Sequence, residues 1–132
     1  MGVRFAKAYV DEVFAARDLD RVCHLISLVD QEPNLPEELW LFSRVYEWAP
    51  SRSGIWQYYE ALPETLFLRI KSGLERYGFD ELAAKFAEGR YSSGPPTFAE
   101  DFDDWLEEHA SAIHAALFQL ILPKKDYLIQ AS

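Results

Sequence analysis

Six acidic side chains lie within nine consecutive positions of the chain. Their type and spacing suggest a chemical role more clearly than those of any other residues. They are Glu100, Asp101, Asp103, Asp104, Glu107 and Glu108. No Lys or Arg lies between Arg90 and Lys124, so this segment carries most of the excess negative charge. Projected on a helix at about 100° per residue, the six acids fall inside an arc of roughly 160°. The opposite side gathers Phe98, Phe102, Trp105, His109, Ile113, Ala116, Leu117 and Leu120. The pattern predicts a helix with one apolar and one anionic face.

Two interpretations of this anionic face remain open. The run from Glu100 to Glu108 covers about 12 Å of helix, or about one charge per 2 Å, close to the one per about 1.7 Å of duplex DNA. A basic protein groove that binds DNA could therefore accept it. Alternatively the face is only solvated, because the macrodipole favours acids in the first turns of a helix.

The other chemically active residue types form no constellation. His109 and His114 are five positions apart and project from different faces of a helix, so the three histidines predict no metal site. Cys23 is alone, which excludes an intramolecular disulfide and fits a reducing compartment. No Ser, Cys or Lys stands in a nucleophile motif, and no Gly-rich loop offers a phosphate cradle. We expect a non-enzymatic protein without metal or cofactor.

Composition narrows the classes of partner. The 132 residues are 49% hydrophobic and 15% aromatic, enough for one domain, residues 1–132, with a sizeable core. A net charge of -9 argues against nucleic acid or anionic membrane as a direct ligand and favours a basic protein, such as a DNA-binding transcription factor. The longest apolar stretch, Ile113 to Leu122, is interrupted and too short to span a bilayer. These features predict a cytoplasmic protein.

Apolar residues recur at helical spacing along the whole chain, which predicts an all-α domain of about six or seven helices. The first two helices separate near Arg17–Asp18, and Pro36 suits the first turn of another. Gly78 is placed to cap a helix that Pro63 opens. A helix capped by Asp80 is expected to end at Gly89.

The segment 91–97 predicts a flexible loop, because it contains Ser-Ser-Gly-Pro-Pro. Thr97 and Glu100 then match a capping box, from which the acidic helix runs toward Pro123.

An aromatic octapeptide, Ser53 to Glu60, is the second candidate site. Local rules do not decide whether it is helix or strand. Its central residues are Trp56, Gln57, Tyr58 and Tyr59. They form either a contact patch or, as we favour, an aromatic plug between helices. The alternative function is a small ligand-binding protein or hydrolase that uses an aromatic cleft around Trp56 and Tyr58.

At this octapeptide the chain resembles the DMP19-like (DUF4375) family of small helical bacterial proteins. That family carries an Asn-Gly-Gly-Phe-x-Gln-Tyr-Phe-type segment, a following helix and an acidic C-terminal part. Gly54, Gln57 and the Tyr58–Tyr59 pair match it, whereas Ser53 stands where the family has Asn. The resemblance implies an all-helical fold and, from the family's named member, a DNA-mimic role in which an acidic surface occupies the DNA-binding site of a transcription factor.

Overall fold

Helices dominate the backbone of the computed structural model, which describes residues 4–48, 55–91 and 95–130, with backbone alone at 55, 56, 91 and 95–100. The helices are α1 (Lys7–Ala15), α2 (Leu19–Ser27), α3 (Glu37–Trp48), α4 (Ile55–Ala61), α5 (Glu64–Arg76), α6 (Asp80–Tyr91) and α7 (Pro95–Ile121), followed by a 3-10 helix (Leu122–Leu128). Across these ranges the only strand-like pairing is an isolated parallel bridge between Phe5 and Ile129. The predicted all-α class is confirmed, and residues 55–60 of the undecided octapeptide lie in α4.

The chain divides into two compact units. The first comprises Met1–Ser43 and His114–Ser132, and the second comprises Arg44–Ile113. Each unit buries its own apolar side chains, such as Val13 and Ile26 in the first and Phe67 and Phe86 in the second. A single domain over residues 1–132 stays a prediction.

The break between α1 and α2 lies where the sequence predicts it. Arg17 adopts a left-handed conformation, with φ 54°. Its amide donates to Phe14 O at 3.0 Å and that of Asp18 to Val13 O at 3.4 Å, the two bonds of a Schellman motif. Asp18 then caps α2 through its side chain, which accepts from the Arg21 amide at 3.2 Å.

The same motif ends α5, here with the glycine that the sequence predicts. Gly78 has φ 82°, its amide donates to Glu75 O at 3.1 Å, and Phe79 donates to Leu74 O at 2.8 Å. Glycine adopts this conformation without the steric penalty that a Cβ brings.

The predicted end of α6 at Gly89 is wrong, because the helix continues to Tyr91. Gly89 is needed for a close approach: a Cβ built there would overlap the ring of Tyr59. A glycine inside a helix and a glycine at its end look alike in a single sequence.

The connection between α6 and α7 is shorter than the predicted loop at 91–97. Tyr91 belongs to α6 and Pro95 to Thr97 belong to α7, while residues 92–94 lie outside the described part of the chain. The start of α7 at Pro95 rather than Thr97 fits the preference of proline for the first helical turn, where its missing N–H is no loss. Mobility of this connection stays a prediction.

Candidate functional site

The acidic run lies in the N-terminal half of α7, and its described side chains all face solvent. The exposed carboxylates are Asp101, Asp103, Asp104, Glu107 and Glu108. Glu100 belongs to the same helix, but its side chain lies outside the described residues. We call these six residues the acidic face.

The opposite side of this helix segment is anchored in the core of the second unit. Phe102 is fully buried and Leu106 is nearly so. The Phe102 ring lies 4.9 Å from that of Trp48, which is itself fully buried and packs at 5.5 Å against Phe86. Two buried positions four residues apart fix the rotation of the helix about its axis. The acidic face is therefore held outward by packing.

An aromatic stack borders the acidic face. Trp105 and His109 are half-buried, and their rings stack with centroids 4.6 Å apart and planes 21° apart. His109 Nδ1 also lies 2.9 Å from Trp105 O. At helical spacing Trp105 neighbours Asp101 and Glu108. The sequence predicts His109 on the apolar side but misses the stack. The available signal was the spacing of four residues between Trp105 and His109.

One cation approaches this stack from α6. Lys85 is only 9% exposed, and its Nζ lies 5.9 Å from the centre of the Trp105 ring. It also pairs with Glu88 at 3.3 Å. The stack therefore lies next to positive charge on α6 and to the carboxylates of α7.

Repulsion within the acidic face works against the helix that displays it. Asp101 and Asp104 are three residues apart, and Asp104 and Glu108 are four apart, so each pair shares one side of the helix. Like charges at these spacings destabilise an isolated helix by about 0.2–0.5 kcal/mol per pair. The acidic face therefore lowers the stability of the helix that carries it.

The aromatic octapeptide is used mainly for packing where its side chains are described. Tyr59 is 6% exposed, accepts a hydrogen bond from Trp48 Nε1 at 2.9 Å and donates to Phe86 O at 2.7 Å. Tyr58 is half-buried, with its ring edge-on to Tyr59 at 5.4 Å. Burial raises the pKa of both tyrosines above the ordinary range, so both hydroxyls stay protonated at neutral pH.

The octapeptide has two further side chains that the structure describes, those of Gln57 and Glu60. Gln57 is exposed, and the Trp56 side chain lies outside the described residues. The described hydroxyl of Tyr59 is already engaged by Trp48 and Phe86. Nothing in these contacts favours the hydrolase or ligand-binding alternative.

The histidines and the cysteine are dispersed. His114 Nε2 lies 3.1 Å from Arg17 O, and Cys23 is a half-buried thiol that forms no disulfide. Over the described ranges, no three His, Cys, Asp or Glu side chains gather as metal ligands. No helix in those ranges combines the length and apolar character that crossing a membrane requires.

Comparisons with protein-family models, curated proteins and solved structures return no match for this chain. The resemblance to the DMP19-like family therefore stays a prediction from the octapeptide.

Proposed function

We propose that this protein is a non-enzymatic interaction module that binds a basic protein through the acidic face of α7. The proposed partner is a DNA-binding protein, such as a transcription factor, whose basic groove takes up the acidic face in place of DNA. The observation that carries the proposal is the solvent exposure of the described carboxylates along a helix whose other side is buried.

Rigid presentation of the charges supports this role. Carboxylates on a packed helix are ordered before binding, so less conformational entropy is lost than on a disordered acidic tail. Their spacing along the axis approximates that of DNA phosphates. A concentrated field of one sign also accelerates encounter with a basic groove and orients the partner.

The stack of Trp105 and His109 supports a specific contact beside the charges. Tryptophan is enriched among the residues that dominate binding energy, and arginine side chains stack on aromatic rings. An arginine of the partner can pair with Asp101 or Glu108 while its guanidinium plane lies on the exposed part of Trp105.

The acidic face lowers the stability of α7, which supports the view that these acids were selected for a property other than stability. A helix surface chosen for stability alone mixes acids with bases at spacings of four residues. Local features that oppose the stability of their own element are expected chiefly at functional sites. The proposed cytoplasmic, bacterial setting and the DNA-mimic role implied by the family resemblance agree with this function.

The test is capture of partners from a bacterial lysate by the immobilised protein at low and high salt. A triple variant, Asp101→Asn, Asp104→Asn and Glu108→Gln, removes three charges from one side of the acidic face. We expect the wild type to retain DNA-binding proteins at low salt and release them as salt rises, because screening weakens pairing between exposed charges. The triple variant should retain far less of the same proteins.

A matched control separates the acidic face from net charge. Glu12, Glu60 and Glu81 are exposed acids on α1, α4 and α6, and replacing all three by Gln changes the net charge by the same amount. The control variant should capture partners like the wild type. Equal losses in the two triple variants would mean that only overall charge matters and that the acidic face is a solvated surface.

A further inference from the structure

One carboxylate in the first unit connects three separate parts of the chain. Glu32, between α2 and α3, accepts hydrogen bonds from both terminal nitrogens of Arg4, each at 2.9 Å. It also accepts a hydrogen bond from the hydroxyl of Tyr127 in the 3-10 helix. The Arg4 guanidinium lies 4.4 Å over the Tyr127 ring, so the three side chains form a closed triangle.

Backbone hydrogen bonds also join two of these parts, the chain at Phe5 and the end of the 3-10 helix. Phe5 N donates to Leu128 O at 2.9 Å and Gln130 N donates to Phe5 O at 2.7 Å, which makes the isolated parallel bridge. A bridge of two bonds lacks the cooperative support of a sheet. The side-chain triangle therefore adds three hydrogen bonds to the two of the bridge.

Two further ion pairs hold the segment 122–130, and both are partly open to solvent. Lys125 pairs with Asp11 of α1 at 2.7 Å, and Lys124 reaches Glu38 of α3 at 3.9 Å. Exposed pairs of this kind contribute little to stability. The 3-10 helix itself has poorer hydrogen-bond geometry than an α-helix and resists opening less.

Apolar surface lies beneath this segment. Leu128 is fully buried. Lys125 Nζ lies 5.9 Å from the centre of the Phe14 ring in α1, and Phe118 packs against the same ring at 5.9 Å. Release of the segment would expose Leu128 and remove Lys125 from the Phe14 ring.

We propose that residues 122–130 form a strap, fastened by Glu32, that opens as one unit and uncovers Leu128 and one side of Phe14. The opening is concerted because Glu32 holds Arg4 and Tyr127 at once, and these two residues lie just before the two sides of the bridge between Phe5 and Ile129. Loss of the carboxylate frees both sides of the bridge together. The inference concerns the first unit and is independent of the role proposed for α7.

Amide hydrogen exchange in the intact protein measures the opening directly. The reporters are the Phe5 and Gln130 amides, and the reference is the Leu39 amide, which donates to Pro36 O at 3.1 Å at the start of α3 in the same unit. Amides that exchange through one local opening share one exchange free energy. In Glu32→Gln we expect both reporters to exchange at least about tenfold faster, by similar factors, with Leu39 unchanged.

Two variants complete the design. Tyr127→Phe removes one hydroxyl without changing charge and should accelerate both reporters by a smaller common factor, which preserves the test if Glu32→Gln does not fold. Asp18→Asn removes the pair with Arg21 at 3.0 Å, keeps the cap of α2 and should leave both reporters unchanged. Unequal acceleration of the two reporters, no acceleration, equal acceleration of Leu39, or an effect of Asp18→Asn on the reporters would each overturn the proposal.

Discussion

At the scale of single residues, the Tyr59 hydroxyl is the polar centre of the second unit. It is buried between a donor, Trp48 Nε1, and an acceptor, Phe86 O. Tyr59→Phe leaves Trp48 Nε1 without this acceptor inside the core, which costs about 1–3 kcal/mol of unfolding free energy. Phe86 O loses less, because it lies within the helical backbone of α6. Chemical denaturation should show this loss. Tyr58→Phe, at the half-exposed neighbour, should show a smaller one, and equal losses would contradict this account.

For Gly89→Ala, packing and helix propensity predict changes in stability of opposite sign. Alanine is favoured over glycine in a helix by about 1 kcal/mol, so Gly89→Ala in α6 would be expected to stabilise the protein. The overlap with Tyr59 reverses this, and overpacking should lower stability by about 1–3 kcal/mol. Thermal melting decides between them. Ala84→Gly, at an exposed position of α6, is the control and should show the ordinary propensity loss; a higher melting temperature for Gly89→Ala would refute the packing argument.

Glu32 should titrate far below an ordinary glutamate. Hydrogen bonds from Arg4 and then from Tyr127 favour the carboxylate and lower the pKa of Glu32 to about 2. Because the folded pKa is below the unfolded one, its contribution to stability is present above the unfolded value and is lost as pH falls toward about 2.

Carboxyl chemical shifts followed by NMR should locate this titration. Arg4→Gln should raise the pKa of Glu32 more than Tyr127→Phe, since the bond from Arg4 has the larger effect. A Glu32 midpoint near 4.3, the ordinary value for glutamate, would contradict the bidentate geometry.

At the scale of elements, α7 should fold as well without three of its charges. The variant Asp101→Asn, Asp104→Asn and Glu108→Gln removes four repulsive pairs. Two are at three-residue spacing, 101/104 and 104/107, and two are at four-residue spacing, 100/104 and 104/108. We expect a melting temperature equal to or above that of the wild type. The gain in unfolding free energy should be up to about 2 kcal/mol at low salt and should shrink as salt rises. A clear loss of stability would mean that these carboxylates make stabilising contacts.

Helix ends were predictable where one residue type has one strong role. The break near Arg17–Asp18 and the end of α5 at Gly78 lie where the sequence predicts them, because both depend on neighbouring backbone groups. Gly89 misled the prediction because its role depends on Tyr59, thirty positions away in the sequence. The periodicity of the sequence predicted the anionic surface of α7. The hydrogen bonds from Arg4 to Glu32 could not be predicted, because they join distant segments that no local pattern connects.

At the scale of the whole molecule, the net charge of -9 and its uneven distribution determine what the protein attracts. A field of this sign repels DNA and draws in basic proteins, faster at low ionic strength. Overall charge alone does not distinguish one basic partner from another. In the proposed function, specificity comes from the arrangement of carboxylates on the acidic face beside Trp105.

Competition with DNA tests the central claim most directly. A captured partner is bound to a fluorescent DNA duplex, and the anisotropy of the duplex is followed as this protein is added. We predict that the wild type and the variant of Glu12, Glu60 and Glu81 release the duplex, while the variant of Asp101, Asp104 and Glu108 needs at least about tenfold more protein, or about 1.4 kcal/mol. A partner that holds this protein and the duplex together, or a duplex released equally by all three proteins, would contradict the account.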